Sequence, residues 1–183
     1  AVKWLNDTAN KTEPWVLFVS LVAPHFPLIA PPKFYELYEH LQLMPSKQKP
    51  EPEHPWHEAM RNCQLMDNFT PEKTQIALKS YYALVSFIDE LIGNILNTLK
   101  SLELEESTQI IYTSDHGDNI GERNLWGKSN FYEESIGIPL IIAGPNVPIG
   151  KVCQTPVSLV DIYPTILETA KLPVEPEKPG SCL

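Results

Sequence analysis

The stretch Thr108-Gln-Ile-Ile-Tyr-Thr-Ser-Asp115-His116-Gly117-Asp118 decides how this chain is read. Its first half is β-branched and aromatic, the composition of a strand, and its polar second half begins where the apolar run stops. A strand that delivers Asp-His-Gly-Asp at its carboxyl end matches the place where open α/β sheets put their ligand sites. Outward from it, Trp15-Val-Leu-Phe-Val-Ser-Leu-Val-Ala23 predicts a buried strand ending at Pro24. Pro139-Leu-Ile-Ile-Ala143 predicts a third, closed by Gly144-Pro145, and Cys153 to Thr155 a short extended piece. Between the first two, Thr70-Pro-Glu-Lys73 supplies an N-cap and a proline at the first helical position. An apolar stripe then runs through Ile76, Leu84, Phe87, Ile88, Leu91, Ile92, Ile95, Leu96 and Leu99. That stripe predicts a helix of about seven turns, in which Gly93 is either a cost or a close-packing point. Phe34 to Leu43 predicts a short helix, and Ser158-Leu-Val-Asp161 has capping-box spacing ahead of Ile162, Ile166 and Leu167, with Pro164 in the first turn. Buried strands separated by a long helix imply an α/β fold.

With 183 residues, 43% hydrophobic and 20% charged, the chain fits one ordinary domain with a substantial core. Fourteen Lys plus Arg against twenty-three Asp plus Glu give a net charge of −9, which disfavours nonspecific binding to nucleic acid or to an anionic membrane. The apolar runs are too short to span a membrane, and no targeting segment is recognisable, so no compartment is assigned. Residues 45–57 mix prolines with charges and read as a solvated excursion, and the proline-rich tail 171–183 reads as leaving the core toward a missing C-terminal region. Cys63, Cys153 and Cys182 show no CxxC and are too few for a disulfide framework.

Asp115 offers hard oxygen ligands, His116 a ring nitrogen, Gly117 a close backbone approach, and Asp118 a group to orient the loop or the ligand. The competing reading is a polar turn with a structural histidine. Two adjacent ligands do not complete a calcium or magnesium shell, which takes about six or more. Lys128 follows His116 by twelve residues, so a compact loop can return its ammonium to the same place, there to bind a tetrahedral anion rather than merely solubilise the loop. His25, just beyond the first strand, can give a proton to a leaving group or hydrogen-bond an anion; a surface role is the alternative. Arg123 is a candidate for recognising substrate charge, with a loop ion pair as its alternative, and Asp161 reads as a cap. His40, His54 and His57 form no zinc spacing, and there is no GxGxxG, P-loop or GxSxG.

Several segments taken together resemble the sulfatase family: Ala23-Pro-His25-Phe-Pro27, Tyr81-Tyr-Ala-Leu-Val-Ser-Phe-Ile-Asp89, Tyr112 to Asp118, Gly121-Glu-Arg123, Leu125-Trp-Gly-Lys128 and Phe131-Tyr-Glu-Glu134. The likeness runs from about Trp15 to Leu183, is strongest from Tyr81 to Pro139, and is similar to the choline-sulfatase-like and phosphonate-monoester-hydrolase-like branches. It implies an alkaline-phosphatase-like three-layer α/β fold, here partial, with a mainly parallel or mixed central sheet flanked by helices. It also implies that Asp115 and His116 are metal ligands and that Lys128 and His25 contact sulfate and assist the leaving oxygen.

The family's nucleophile is a formylglycine made within a C/S-x-P-S-R motif, and its metal site is completed by two N-terminal aspartates. No cysteine of this chain has those flanks, and Gly137 stands where the family often has arginine. The resemblance therefore implies that residues 1–170 are the later portion of a sulfatase catalytic core. The intact protein is then expected to be a metal-dependent sulfuric ester hydrolase acting on a small-molecule sulfate ester, and this chain alone to be catalytically incomplete. Calcium is the expected cation, with magnesium and manganese as alternatives. Phosphonate or phosphate ester hydrolysis is the sister expectation, and an inactive anion- or metal-binding module the one from a different class.

Overall fold

The computed structural model describes residues 1–8, 13–64 and 69–183. In chain order its helices are α1 (Val2–Thr8), α2 (Pro32–Tyr35), α3 (Pro55–Gln64), α4 (Pro71–Ser101), α5 (Glu133–Ile136) and α6 (Ile162–Thr169), and its strands are β1 (Ile110–Thr113) and β2 (Leu140–Ala143). They divide into two compact units, one of Ala1–Leu104 with His116–Ile138 and the other of Glu105–Asp115 with Pro139–Leu183.

The first unit is organised by α4, which starts where the cap chemistry predicts. Thr70 Oγ1 accepts the Lys73 N–H at 3.3 Å, and Pro71, whose missing N–H costs nothing in a first turn, follows directly. Helices α1 and α2 pack on α4. Leu5 and Phe34 are buried with Leu78, Ala83, Leu84, Ile88 and Leu99 of α4, and the Phe34 and Phe87 rings lie 5.5 Å apart. The buried face is rotated from the predicted stripe. Leu78 and Ala83 join it, whereas Ile76 and Leu96 are 56% and 40% exposed, because α1 and α2 cover only part of the helix circumference. Among the described residues nothing lies within 4 Å of where a Cβ on Gly93 would sit, so this glycine is a cost to the helix and not a packing point there.

Three expectations change. The helix predicted over Phe34 to Leu43 is limited to α2; Tyr38 N–H then bonds Tyr35 O at 3.0 Å, and the Tyr38 hydroxyl pairs with Ser86 Oγ at 2.7 Å. Reaching α4 in this way takes the chain through successive turns in place of a continued helix. Secondly, α1 and α3 form where no helix is expected. Helix α3 begins at Pro55 with Glu58 in its first turn, a start signal masked by the prolines before it. Thirdly, Trp15 to Ala23 forms no strand among the described residues and enters a turn at Ala23, with Val16, Phe18 and Val22 67%, 88% and 79% exposed. Trp15 does pack, edge-on against Trp4 at 5.4 Å. An apolar run encodes a demand for burial, and only a partner surface can meet it.

In the second unit, β1 and β2 pair antiparallel, with Ile110 opposite Ala143 and Thr113 opposite Leu140. Residues 114–139 therefore leave and re-enter at one end of the pair. A parallel pairing requires a crossover to the opposite end, so the one sheet among the described residues is a single antiparallel pair, which does not by itself establish the mainly parallel or mixed central sheet expected. Cys153 to Thr155 lies outside it. The capping box at the entry to α6 is formed, with Ser158 N–H donating to Asp161 Oδ2 at 2.8 Å. Asp161 Oδ1 accepts Ser181 N–H at 2.8 Å, and the two backbone donors, Ser181 first, hold its carboxyl below the ordinary range. Leu183 N–H donates to Thr165 Oγ1 at 3.1 Å, so the end of the tail bonds back to α6. No helix among the described residues is long and apolar enough to cross a membrane.

Gly93→Ala is expected to stabilise residues 1–183 by about 0.5–1 kcal/mol, read as a higher urea midpoint; a lower midpoint would place a neighbour against Gly93. The same polypeptide is expected to bind a hydrophobic dye strongly, and Phe18→Ser with Val22→Ser to cut that fluorescence by about half or more, since an exposed apolar patch is what such dyes read.

Candidate functional site

The loop after His116 closes on itself through Asp118 and Asn119. Asp118 Oδ1 accepts the N–H groups of Ile120 at 2.8 Å and Gly127 at 2.9 Å. Asn119 is fully buried and sends both its backbone N–H (2.7 Å) and its side-chain Nδ2 (2.6 Å) to Gly127 O. Leu125, within the same loop, is also without exposed surface. An Asx-type carboxylate on one side and a buried amide on the other thus bring residue 127 back beside residue 118. Lys128, the next residue, is carried with it.

Lys128 Nζ donates to His25 Nε2 at 2.9 Å. His25 Nδ1 lies 2.8 Å from Phe26 O, and a carbonyl only accepts, so Nδ1 carries the proton and Nε2 is the acceptor that meets the ammonium. The His116 ring lies 6.3 Å from the His25 ring at 61°. Its Nδ1 lies 2.8 Å from Gly117 O, which by the same logic puts a ring proton on Nδ1. Gly117 is required where it stands: a Cβ there would run into the Glu134 carbonyl oxygen, and its N–H donates to Ser135 O at 2.8 Å. The first unit thus brings His25, Lys128 and His116 together. Asp115 ends the β1 segment of the second unit, is exposed, and accepts from Ser114 Oγ at 3.4 Å.

Arg123 is placed in an ion-pair network. Its Nη1 donates to Glu134 Oε2 at 2.8 Å, and its guanidinium lies over the Tyr132 ring at 4.0 Å. Lys47 also pairs with Glu134, Arg123 N–H donates to Lys47 O at 2.9 Å, and Ser46 N–H donates to Glu122 Oε1 at 3.0 Å. The exposed segment at 45–47 is therefore anchored to this loop. Burial by itself would raise the Glu134 carboxyl, but hydrogen bonds from Lys47, its own backbone N–H and Arg123, with the Arg123 charge, outweigh it and bring the pKa down from 4.5 to about 2. His57 packs on Tyr132, with its Nδ1 3.1 Å from the phenol oxygen. Burial first, then His54 and Arg123, hold that imidazole below its ordinary value. Sequence reasoning missed Gln64 and Trp56, which hydrogen-bond the backbone on either side of Lys128.

Among the described residues no three His, Cys, Asp or Glu side chains gather as a metal cluster. Asp115 and His116 supply one carboxylate and one imidazole, a donor set that fits part of a divalent-cation shell and requires further donors to complete it.

A family model described as Sulfatase matches residues 1–172. The chain is 36% identical over 183 residues to a choline-sulfatase of Rhizobium meliloti, covering 95% of this chain and 35% of that protein. It is 33% identical over 202 residues to human arylsulfatase K, covering 100% of this chain and 37% of that protein. Its fold superposes on the phosphonate monoester hydrolase of Silicibacter pomeroyi with a TM-score of 0.80 at 28% identity, covering 87% of this chain and 34% of that one. The chain thus spans about a third of the length of the curated relatives it matches.

Because Glu134 titrates near 2 when folded and at about 4.5 when free, its contribution to stability is fully present above about pH 4.5 and is lost as pH falls toward 2. Urea midpoints measured from pH 6 down to 2 should show this acid limb in the wild type and a clearly flatter one in Glu134→Gln. Equal slopes would remove Glu134 as the anchor of the loop.

Proposed function

The chain belongs to the sulfatase family, and from that premise we propose that the polypeptide containing it is a metal-dependent sulfuric ester hydrolase acting on a small-molecule sulfate ester. The observation that carries this reading is the Lys128–His25 hydrogen bond with the His116 ring beside it. A sulfate monoester presents three non-bridging oxygens that share one negative charge, and one bridging oxygen on which charge builds as its bond to sulfur breaks. The Lys128 ammonium is fixed beside the imidazole before any substrate arrives, so its field needs no reorganisation when that charge appears. His25, with Nδ1 committed to Phe26 O, accepts from Lys128 through Nε2 and so steadies the ammonium, which can give one of its other protons to the departing oxygen.

Asp115 and His116 are proposed to hold the cation, with the Gly117 N–H bonded to Ser135 O beside His116. When bound, such a cation polarises a sulfate oxygen and offsets its charge. Calcium is favoured by the family resemblance, with magnesium and manganese as alternatives. The remaining metal ligands and the formylglycine nucleophile are assigned to residues outside this chain. Arg123, tied to Glu134 and Tyr132, is assigned to holding the loop, with direct substrate contact as the alternative.

Phosphonate or phosphate ester hydrolysis is the second reading. It is favoured by the likeness to a phosphonate monoester hydrolase and by the fact that a fixed ammonium does not itself distinguish sulfur from phosphorus at the centre of a tetrahedral oxyanion.

Parallel assays of the intact polypeptide with aryl sulfate, aryl phosphate and aryl phosphonate esters decide between these readings. The expected result is highest kcat/KM for the sulfate, lowered by roughly 10²–10⁴-fold in Lys128→Ala and in His25→Ala, and no turnover by residues 1–183 alone. A larger kcat/KM for the phosphonate or phosphate would establish the second reading. Saturable anion binding without hydrolysis of any ester would reduce the protein to a binding module.

A further inference from the structure

The reading of Lys128 as an oxyanion-contacting group leaves open what holds it there, since a lysine in a surface loop is otherwise free to sample many positions. The backbone around it has an unusual conformation, with φ of +68° at Gly127 and +82° at Ser129. Serine at such a φ is sterically disfavoured, so this turn does not hold itself. Asp118 and Asn119 secure its incoming side at Gly127. On its other side the Phe69 ring stacks on Trp126 at 5.2 Å, and hydrogen bonds come from α3. Gln64 binds Trp126 with both ends of its amide, Oε1 accepting Trp126 N–H at 3.1 Å and Nε2 donating to Trp126 O at 2.7 Å. Trp56 Nε1 donates to Ser129 O at 2.8 Å. Arg61 Nη1 donates to Arg123 O at 2.8 Å, further back in the same loop.

Trp56 and Gln64 are eight residues apart, so they share a face with the buried Met60 between them and are separated by about 12 Å along the helix axis. One rigid helix therefore spans the two residues that bracket Lys128. We infer that α3 is a splint for the lysine, with Gln64 and Trp56 as positioning residues that act on the reaction only through the placement of Lys128 Nζ against His25 Nε2. The inference rests on the hydrolase reading above for its kinetic consequence and on geometry alone for its structural one. It also gives part of the proline-rich region and the helix after it a role that neither touches substrate nor belongs to the core.

The test uses the intact polypeptide, with Gln64→Ala to remove both amide bonds and Trp56→Phe to remove one N–H while keeping a large ring. Each is made alone and together with Lys128→Ala. Misplacing a catalytic group by about 1 Å costs up to about 10²-fold, so kcat should fall roughly 10- to 100-fold in each single variant, with KM for the ester changing less than about 3-fold. In the Lys128→Ala background the same substitutions should cost less than about 3-fold, the non-additivity expected of groups that act as a unit. The ¹⁵N shift of His25 Nε2 supplies a readout independent of turnover: in both variants it should move toward its value in Lys128→Ala. A His25 shift unchanged from wild type in both variants, or a rate loss of the same size with and without Lys128, would overturn the splint. If Lys128→Ala leaves turnover intact while the His25 shift still responds to Gln64→Ala, the structural half stands and it is the hydrolase reading of Lys128 that has failed.

Discussion

The arrangement depends on one closure, the return of Gly127 to the Asp118-Asn119 corner. A loop of this length pays conformational entropy to bring its ends together. A carboxylate oxygen with two backbone donors, and a buried asparagine that uses both its main chain and its side chain on one carbonyl, oppose that cost. These bonds involve only backbone groups and two short side chains, so the closure is largely local. Its consequence reaches across the sequence, because the next residue, Lys128, meets a histidine one hundred and three positions earlier.

A second layer of interactions makes that closure rigid. Glu134 draws Lys47 and Arg123 to itself, and the peptide next to it supplies the carbonyl that accepts from Gly117. The position just after His116 is thereby coupled to a charge network, while α3 braces the far side of the loop at Trp126 and Ser129. A carboxylate with two cations and little exposed surface is strongly biased to remain ionised. Arg123, which in the sequence reads either as a loop ion pair or as a contact for substrate charge, makes its ion pair with Glu134 in the structure. Its neighbour Glu122 has an equally local use, accepting backbone N–H groups at Ser46 and Lys47.

The legible parts of this protein are those whose physics is short-range. The Thr70-Pro71 start of α4, the capping box at Ser158 and the strand leading into Asp115 are all set by neighbours within a few residues, and each is found where it is read. His25, His116 and Lys128 were recognisable as residue types able to do the chemistry, and the family resemblance linked them; spacing alone permitted their convergence without requiring it. Gln64 and Trp56 carried no signal, because an amide or an indole that hydrogen-bonds a distant backbone looks like any other polar side chain on a helix. Burial is less legible than local structure. The stripe on α4 depends on which helices pack against it, and the antiparallel pairing of β1 with β2 depends on where the 114–139 excursion re-enters.

The contrast between Trp15–Ala23 and the Lys128 loop shows which parts of such a chain are self-sufficient. The apolar run has the composition of a central strand, yet Phe18 and Val22 lie largely exposed. The hydrophobic demand written in those residues is satisfied only by long-range partners, and the relatives this chain resembles are nearly three times as long. The polar loop is different, because the hydrogen bonds that close it at Gly127 all lie within the first unit, although Asn119 Oδ1 and Asn130 Nδ2 are buried without a hydrogen-bond partner among the described residues. The catalytic proposal divides along the same line. Placing an ammonium against an imidazole is a local achievement of this chain, whereas a complete cation shell and a nucleophile both require donors that its described residues do not gather. The pair is thus preorganised independently of the steps that would use it, the condition under which fixed charges lower a barrier without reorganising during the reaction.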